Sequence, residues 1–214
     1  MNINHELQKT DNLVLPVLAL RGLVIFPGML LQFDVGRKKS ILALSKAMED
    51  NQEIFLVAQK DLSDNEPNTK QIYSMGIVAK VKQVIHRTDD GIRLFAEGMY
   101  RAEIVSQISE DPFLLADVRA VEMKPFRASH KTEALVRYTQ NLFEEYIQNY
   151  SRIPPDIIIG VVQKKDCGEL ADFIASNIML DYEQKQAILE ELHPVKRLEK
   201  LLEILKNEIQ VLSI

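Results

Sequence analysis

Apolar residues follow two rhythms along this chain. Up to about residue 123 they alternate with polar ones or run in short blocks, which is strand behaviour. From Ser129 onward they recur every three or four positions, which is helical. The first block, LPVLALRGLVIFPGM (Leu15–Met29), is nearly all apolar but interrupted at Arg21–Gly22 and Pro27–Gly28. Its β-branched content predicts strands over 13–20 and 30–35, joined by a loop with Gly22 and Pro27–Gly28 as turn residues. GRKKSILALSKAMED follows, with Ile41, Leu42, Leu44, Ala47 and Met48 on one helical face. EIFLVAQK (53–60) reads as a buried strand, and 61–69 as a polar loop.

Alternation resumes at Ile77–His86, and TDDG (Thr88–Gly91) is a hairpin signal, because Asp–Gly tolerates positive φ. The return strand, 92–108, carries Gly98, which marks a bulge or sharp bend that lets a sheet curl. A further strand is expected over 114–123. Residues 1–123 therefore read as a β-rich subdomain, a curled sheet or partial barrel with one helix. Residues 124–214 read as an all-helical bundle, making the fold class α+β.

In the bundle, Leu135, Tyr138, Leu142, Tyr146 and Ile147 form one stripe. Pro154–Pro155 starts a second helix, since proline suits a first turn. A third covers 169–178, and Asp181 with Gln184 forms a capping-box pattern for a fourth. In the last helix Val195, Leu198, Leu202, Leu205, Ile209 and Leu212 recur at 3-4-3-4-3 spacing. That is either a short coiled-coil seam or a helix packed in its own bundle. No glycine, proline or polar tail follows Leu212. The expectation is a truncated helix at the end of a piece of a longer protein.

Composition excludes several functions. With 214 residues, 46% apolar and 27% charged, the chain has ample material for a core. A net charge of −5 offers no general attraction to a phosphate backbone, so no nucleic-acid partner is expected. The single cysteine, Cys167, precludes an intrachain disulfide and fits a reducing compartment. The polar start MNINHELQKT is not a signal peptide. A spanning helix needs about 20 apolar residues, and Leu13–Leu31 is broken by Arg21, glycines and prolines, so no membrane role is expected.

Candidate chemistry is sparse. His5, His86, His130 and His193 lie far apart in sequence, without HxxxH or CxxC spacing, so no metal site is expected. Nothing beside Cys167 marks a lowered thiol pKa. GRKKS (Gly36–Ser40) resembles a phosphate loop but lacks GxxxxGK[ST], and reads as a turn before a solvated helix face or as a minor anion site. Glu144–Glu145 and Glu190–Glu191 are adjacent on helices and do not face each other. No catalytic residue, cofactor site or metal site is predicted, which points to a binding module. The loop Leu23–Met29 is more apolar than a surface loop needs to be. Leu23, Ile25, Phe26, Pro27 and Met29 are the candidate polypeptide contacts, with the alternative that they fold back and plug the sheet. An exposed strand edge would add main-chain hydrogen bonds.

These residues resemble a known family. LPVLALRGLVIFPGMLLQFDVGRKKS is similar to the opening of the amino-terminal domain of ATP-dependent Lon proteases. The likeness continues through FLVAQK, NEP, MGIVAKV and DDGIRLFAEGMYRAEI, then SRIPPDII, ELADFIASNI and DYEQKQAILE, covering 13–212. Ala19 stands where proline is common, and Gly22 and Gly28 where bulkier or polar residues often occur. The resemblance implies a β-rich subdomain and a helical bundle that precede an ATPase module and a Ser–Lys protease domain in a cytoplasmic homohexamer. ATP and magnesium would serve that parent, and no cofactor this piece. The implied role is recognition of unfolded or degron-bearing polypeptides, together with self-association, in an ATP-dependent serine endopeptidase. A standalone Lon-type interaction domain without protease activity is the alternative.

Overall fold

The computed structural model describes residues 12–88, 91–149 and 153–212. The amino-terminal stretch with His5, the Asp89–Asp90 centre of the predicted hairpin turn, the Leu212 side chain and the last two residues lie outside the described residues. The chain is α+β and divides into two units. One holds Leu30–Val121 together with the chain up to Arg21, and the other holds Gly22–Met29 with Glu122–Ile214. The boundary after Val121 lies two residues before the expected position. The excursion of 22–29 into the helical unit was not legible in the sequence.

The first unit contains β1 (Leu13–Leu20), β2 (Leu30–Val35), α1 (Lys38–Glu49), β3 (Glu53–Ala58), β4 (Met75–His86), β5 (Ile92–Ser109) and β6 (Leu115–Ala120). The strand order is β2-β5-β4-β3-β1-β6, and β5 also pairs with β6. The expected partial barrel is therefore a closed ring of β5, β4, β3, β1 and β6. Closure depends on the length of β5. Its start (92–97) pairs with β2, its end (102–109) with β6, and β4 runs beside it from Ile92 to Glu103. Extra residues opposite β4 and β6, at Met99, Val105 and Ile108, bend it. All three are exposed. Gly98 sits beside the first bulge, as its position in the alternation predicts.

Leu15, Val17 and Ala19 of β1, Phe55 and Val57 of β3, and Ala116 and Val118 of β6 meet in one apolar cluster. These alternate positions share one face of each strand. The intervening residues Leu18, Leu20, Ile54 and Leu56 are also buried, and α1 packs on β1 and β3. Burial on both faces explains why these two strands read as continuous apolar runs. β1 and β3 form the parallel pair, whose crossover includes α1. Among the described residues β2 pairs only with β5, which leaves its outer edge unpaired.

The second unit contains α2 (His130–Asn149), α3 (Pro155–Gln163), α4 (Cys167–Asn177), α5 (Tyr182–Glu190) and α6 (Pro194–Leu212). α6 packs on α2, α4 and α5, so its apolar stripe is a bundle face and not an unpartnered seam. Leu198, Leu201, Leu202, Leu205 and Ile209 are buried, a wider stripe than two positions per heptad. In α2 the buried face is Val136, Thr139, Leu142, Phe143 and Tyr146, while Tyr138 faces outward under the Lys206 ammonium. Thr139 enters the interior because its hydroxyl donates to the Leu135 carbonyl (2.9 Å). α4 starts two residues earlier than its apolar period suggests, since the Asp166 carboxylate accepts from the Gly168 and Glu169 amides. The capping box at Asp181 and Gln184 is present.

Candidate functional site

For the segment 22–29 the sequence leaves two readings open, an exposed contact loop or side chains folded back to plug the sheet. The segment forms neither helix nor strand. Both flanking glycines have positive φ, 66° at Gly22 and 77° at Gly28, which an L side chain adopts only under strain. Between them Val24, Ile25 and Phe26 are 2%, 2% and 0% exposed. Leu23, Pro27 and Met29 are half-buried. The Met29 amide donates to the Phe26 carbonyl and closes the turn at Pro27–Gly28 (3.2 Å). Of the five candidate contacts, Ile25 and Phe26 thus point inward, and Leu23, Pro27 and Met29 retain a partial surface. The physical reason is apolar area: at about 25 cal/mol per Å², seating a Val-Ile-Phe run outweighs leaving it in water. The segment groups with the helical unit.

The GRKKS stretch proves to be a structural anchor. Arg37 precedes α1 and gives the helix no side-chain cap. Its guanidinium donates instead to the Gln59 side chain (2.9 Å), to the Asn65 carbonyl (3.3 Å) and to the Ala19 carbonyl. Fully buried Gln59 donates onward to the Asp61 and Asp64 carbonyls. Arg21 reaches the Asp64 carbonyl and the Asn65 side chain. These donors fix the polar loop 61–67 against the ends of β1 and β3. Burial, and then the charge of Arg21, pull the Arg37 pKa down. A small pocket lined by Arg37, Ser40, Glu66 and Pro67 has room only for water.

A second node was missed because a charged residue in an apolar stripe reads as surface. Arg197 of α6 is 2% exposed. Its Nη1 donates to Asp172 Oδ2 of α4 (3.0 Å), its Nε to the Glu191 carbonyl (2.8 Å), and its Nη2 to the Met123 sulfur. The Lys124 amide donates to the Leu192 carbonyl (3.2 Å), tying the start of the unit to the α5–α6 turn. No sequence signal short of the contacts themselves identifies this node.

Burial pushes the Cys167 thiol pKa up, and Asp166 pushes it further, which opposes thiolate formation. His130 is solvent-exposed beside Glu133 (3.7 Å). Among the described residues no three His, Cys, Asp or Glu side chains come together as metal ligands, and no helix is long and apolar enough to cross a membrane.

Comparison with known proteins agrees with this architecture. Residues 14–207 match the family model of the substrate-binding domain of ATP-dependent protease La (Lon). The Lon protease of Heliobacterium modesticaldum is 39% identical over 200 residues, which are 94% of this chain and 24% of that protein. The Lon protease of Clostridioides difficile is 40% identical over 216 residues, covering 99% and 26%. The chain thus spans about a quarter of the length of such relatives. The N-terminal domain of Mycobacterium avium complex Lon protease superposes with a TM-score of 0.74 at 22% identity, covering 91% of this chain and 98% of that one. The Lon N-terminal domain protein from Xanthomonas campestris gives 0.63 at 14%, covering 89% and 98%. With its ring of strands, its helical unit and a family match along almost its whole length, the chain belongs to the Lon substrate-binding domain family.

Proposed function

We propose that this chain is the non-catalytic polypeptide-recognition region of a cytoplasmic ATP-dependent serine protease, capturing unfolded or degron-bearing proteins for degradation. The observation that carries this reading is the family match across both units, in a chain whose one thiol is buried with a raised pKa. ATP, magnesium and the Ser–Lys dyad would belong to modules outside this chain. Recognition would be weak and apolar, through the partial surfaces of Leu23, Pro27 and Met29, with the free β2 edge available for main-chain pairing. Self-association into a homohexamer would multiply such weak sites through effective concentration.

The direct test is photocrosslinking to reduced, carboxymethylated lactalbumin, which cannot refold. Crosslinks at Leu23–Met29 are the expected result. Crosslinks confined to other segments would reject the contact assignment, and the absence of binding would reject polypeptide recognition by the isolated chain.

A further inference from the structure

α3 is apolar on every side, and its residues carry one charge, Asp156. Its inward side is used within the helical unit: Val161 is buried, and Gly160 faces the Phe173 ring of α4. Ile159 and Val162 point the other way, 57% and 54% exposed. They are three positions apart and so share one face. Among the described residues no other helix presents two exposed aliphatic side chains on one face. A helix that is apolar all round is ordinarily covered all round.

The charges at the two ends of this face identify the cover. Asp156 lies three positions before Ile159, and Lys165 three positions after Val162, so the outward pattern is Asp-Ile-Val-Lys at three-residue spacing. Both charged residues are exposed. The Lys165 ammonium donates back to the Val162 carbonyl (3.0 Å), which holds it beside this face. Read in reverse, the pattern is its own complement. With two copies of α3 antiparallel about a two-fold axis, Ile159 meets Val162 of the second copy and Asp156 meets Lys165 of the second copy, and each contact occurs twice. A parallel pair would instead set like charges together, and a shift of one turn would set an ion against an aliphatic side chain.

We propose that the outward face of α3 is a self-complementary interface with a second copy of this chain, the two helices packing antiparallel. The proposal rests on the self-association part of the reading above and names its surface. Two helices this short bury less than the ~1,200 Å² at the lower limit of a standard interface, so the contact is weak alone and gains from copies already held together.

Sedimentation equilibrium of the 214-residue chain, from micromolar to millimolar concentration, tests this. The chain is expected to dimerise reversibly. Ile159→Glu alters an exposed position and leaves the core intact, and should raise the dissociation constant at least about tenfold. Asp156→Lys and Lys165→Glu each set like charges opposite one another, and each should weaken the dimer about five- to tenfold at low salt. An equimolar mixture of these two variants should recover the dimer, because opposite charges then face each other at both ends of the mixed pair. A dimer that Ile159→Glu leaves intact would overturn the α3 contact and leave self-association standing. Failure of the mixture to recover would overturn the antiparallel pairing. Loss of carboxymethylated lactalbumin binding in Ile159→Glu, with no change in the mass of the chain, would assign the face to polypeptide and overturn the proposal. A chain that is monomeric at every concentration would overturn both the contact and self-association of the isolated chain.

Discussion

Each unit is organised around an arginine, and the two are satisfied differently. Arg37 in the sheet unit donates only to neutral oxygens, at the ends of strands and in a loop. Arg197 in the helical unit is buried more deeply and faces a carboxylate, a carbonyl and a thioether. The difference follows from solvent access. A half-exposed guanidinium keeps part of its hydration, and the nearby Glu66 charge supports it without a close ion pair. A fully buried one needs a charged partner, because desolvation of an unpaired ion costs several kcal/mol. Arg37 thus fixes one polar loop, whereas Arg197 joins α4, α6, the α5–α6 turn and the start of the unit.

The largest effect should come from breaking the helical node. Arg197→Met takes away the buried guanidinium that faces the Asp172 carboxylate and should destabilise the protein by about 3–5 kcal/mol in urea unfolding. Adding Asp172→Leu should recover most of that loss, since a buried ion pair replaced by apolar groups is often nearly neutral. If the double variant is no more stable than the single one, the loss reflects packing and not an uncompensated charge.

Two glycines sharpen the contrast between the units. A Cβ at Gly76 of β4 would sit 2.5 Å from the Leu56 carbonyl oxygen and 2.7 Å from the Phe55 ring. The oxygen belongs to the sheet backbone and cannot move aside, so Gly76→Ala should cost about 2 kcal/mol. A Cβ at Gly160 of α3 would lie nearer still to its neighbour, 2.3 Å from the tip of the Phe173 ring. That ring is only half-buried and can swing outward, and alanine gains about 1 kcal/mol of helix propensity over glycine. Gly160→Ala should therefore be near neutral, and thermal melting of the two variants measures the difference.

Arg37→Ala should have a smaller effect, about 1 kcal/mol, because water can replace part of what the guanidinium supplies. Its signature is local. Amides of the 61–67 loop should exchange faster while those of β3 and β4 do not. Equal acceleration throughout the unit would mean that Arg37 supports the ring itself.

The sequence revealed elements more readily than partners. Periodicity located β1, β2 and α5 closely, because each is bounded by a turn or capping residue: Arg21–Gly22, Pro27–Gly28 and Asp181. It could not reveal ring closure, which depends on register and on bulges at Met99, Val105 and Ile108 that interrupt the alternation of β5. Nor could it show which way Leu23–Met29 faces, since an apolar loop has the same pattern whether it is seated or exposed. The inward choice at Ile25 and Phe26 depends on tertiary neighbours, which the local pattern does not encode. Tyr138 was misplaced for a related reason: it shares a helical period with buried residues, yet its ring lies beneath Lys206.

The smallest effect concerns the free end of the sheet unit. Asp34 on β2 accepts from Arg93 Nε (2.8 Å) and Arg87 Nη1 (2.8 Å), tying the edge strand to the β4–β5 hairpin. The hydrogen bond from Arg93 is the main reason its carboxyl is held below the ordinary value. A depressed folded-state pKa means that the group's contribution is present above the unfolded value, and is lost as pH falls through the folded one. Wild type should therefore exceed Asp34→Asn in stability at neutral pH, with the gap closing below about pH 4. The carboxylate is open to solvent, so salt should narrow the gap as well. Urea midpoints of the two proteins between neutral and acid pH, at low and high salt, measure it. A gap independent of both pH and salt would mean that Asp34 holds β2 by shape and not by charge, leaving the outer edge of that strand no better secured than its single partner makes it.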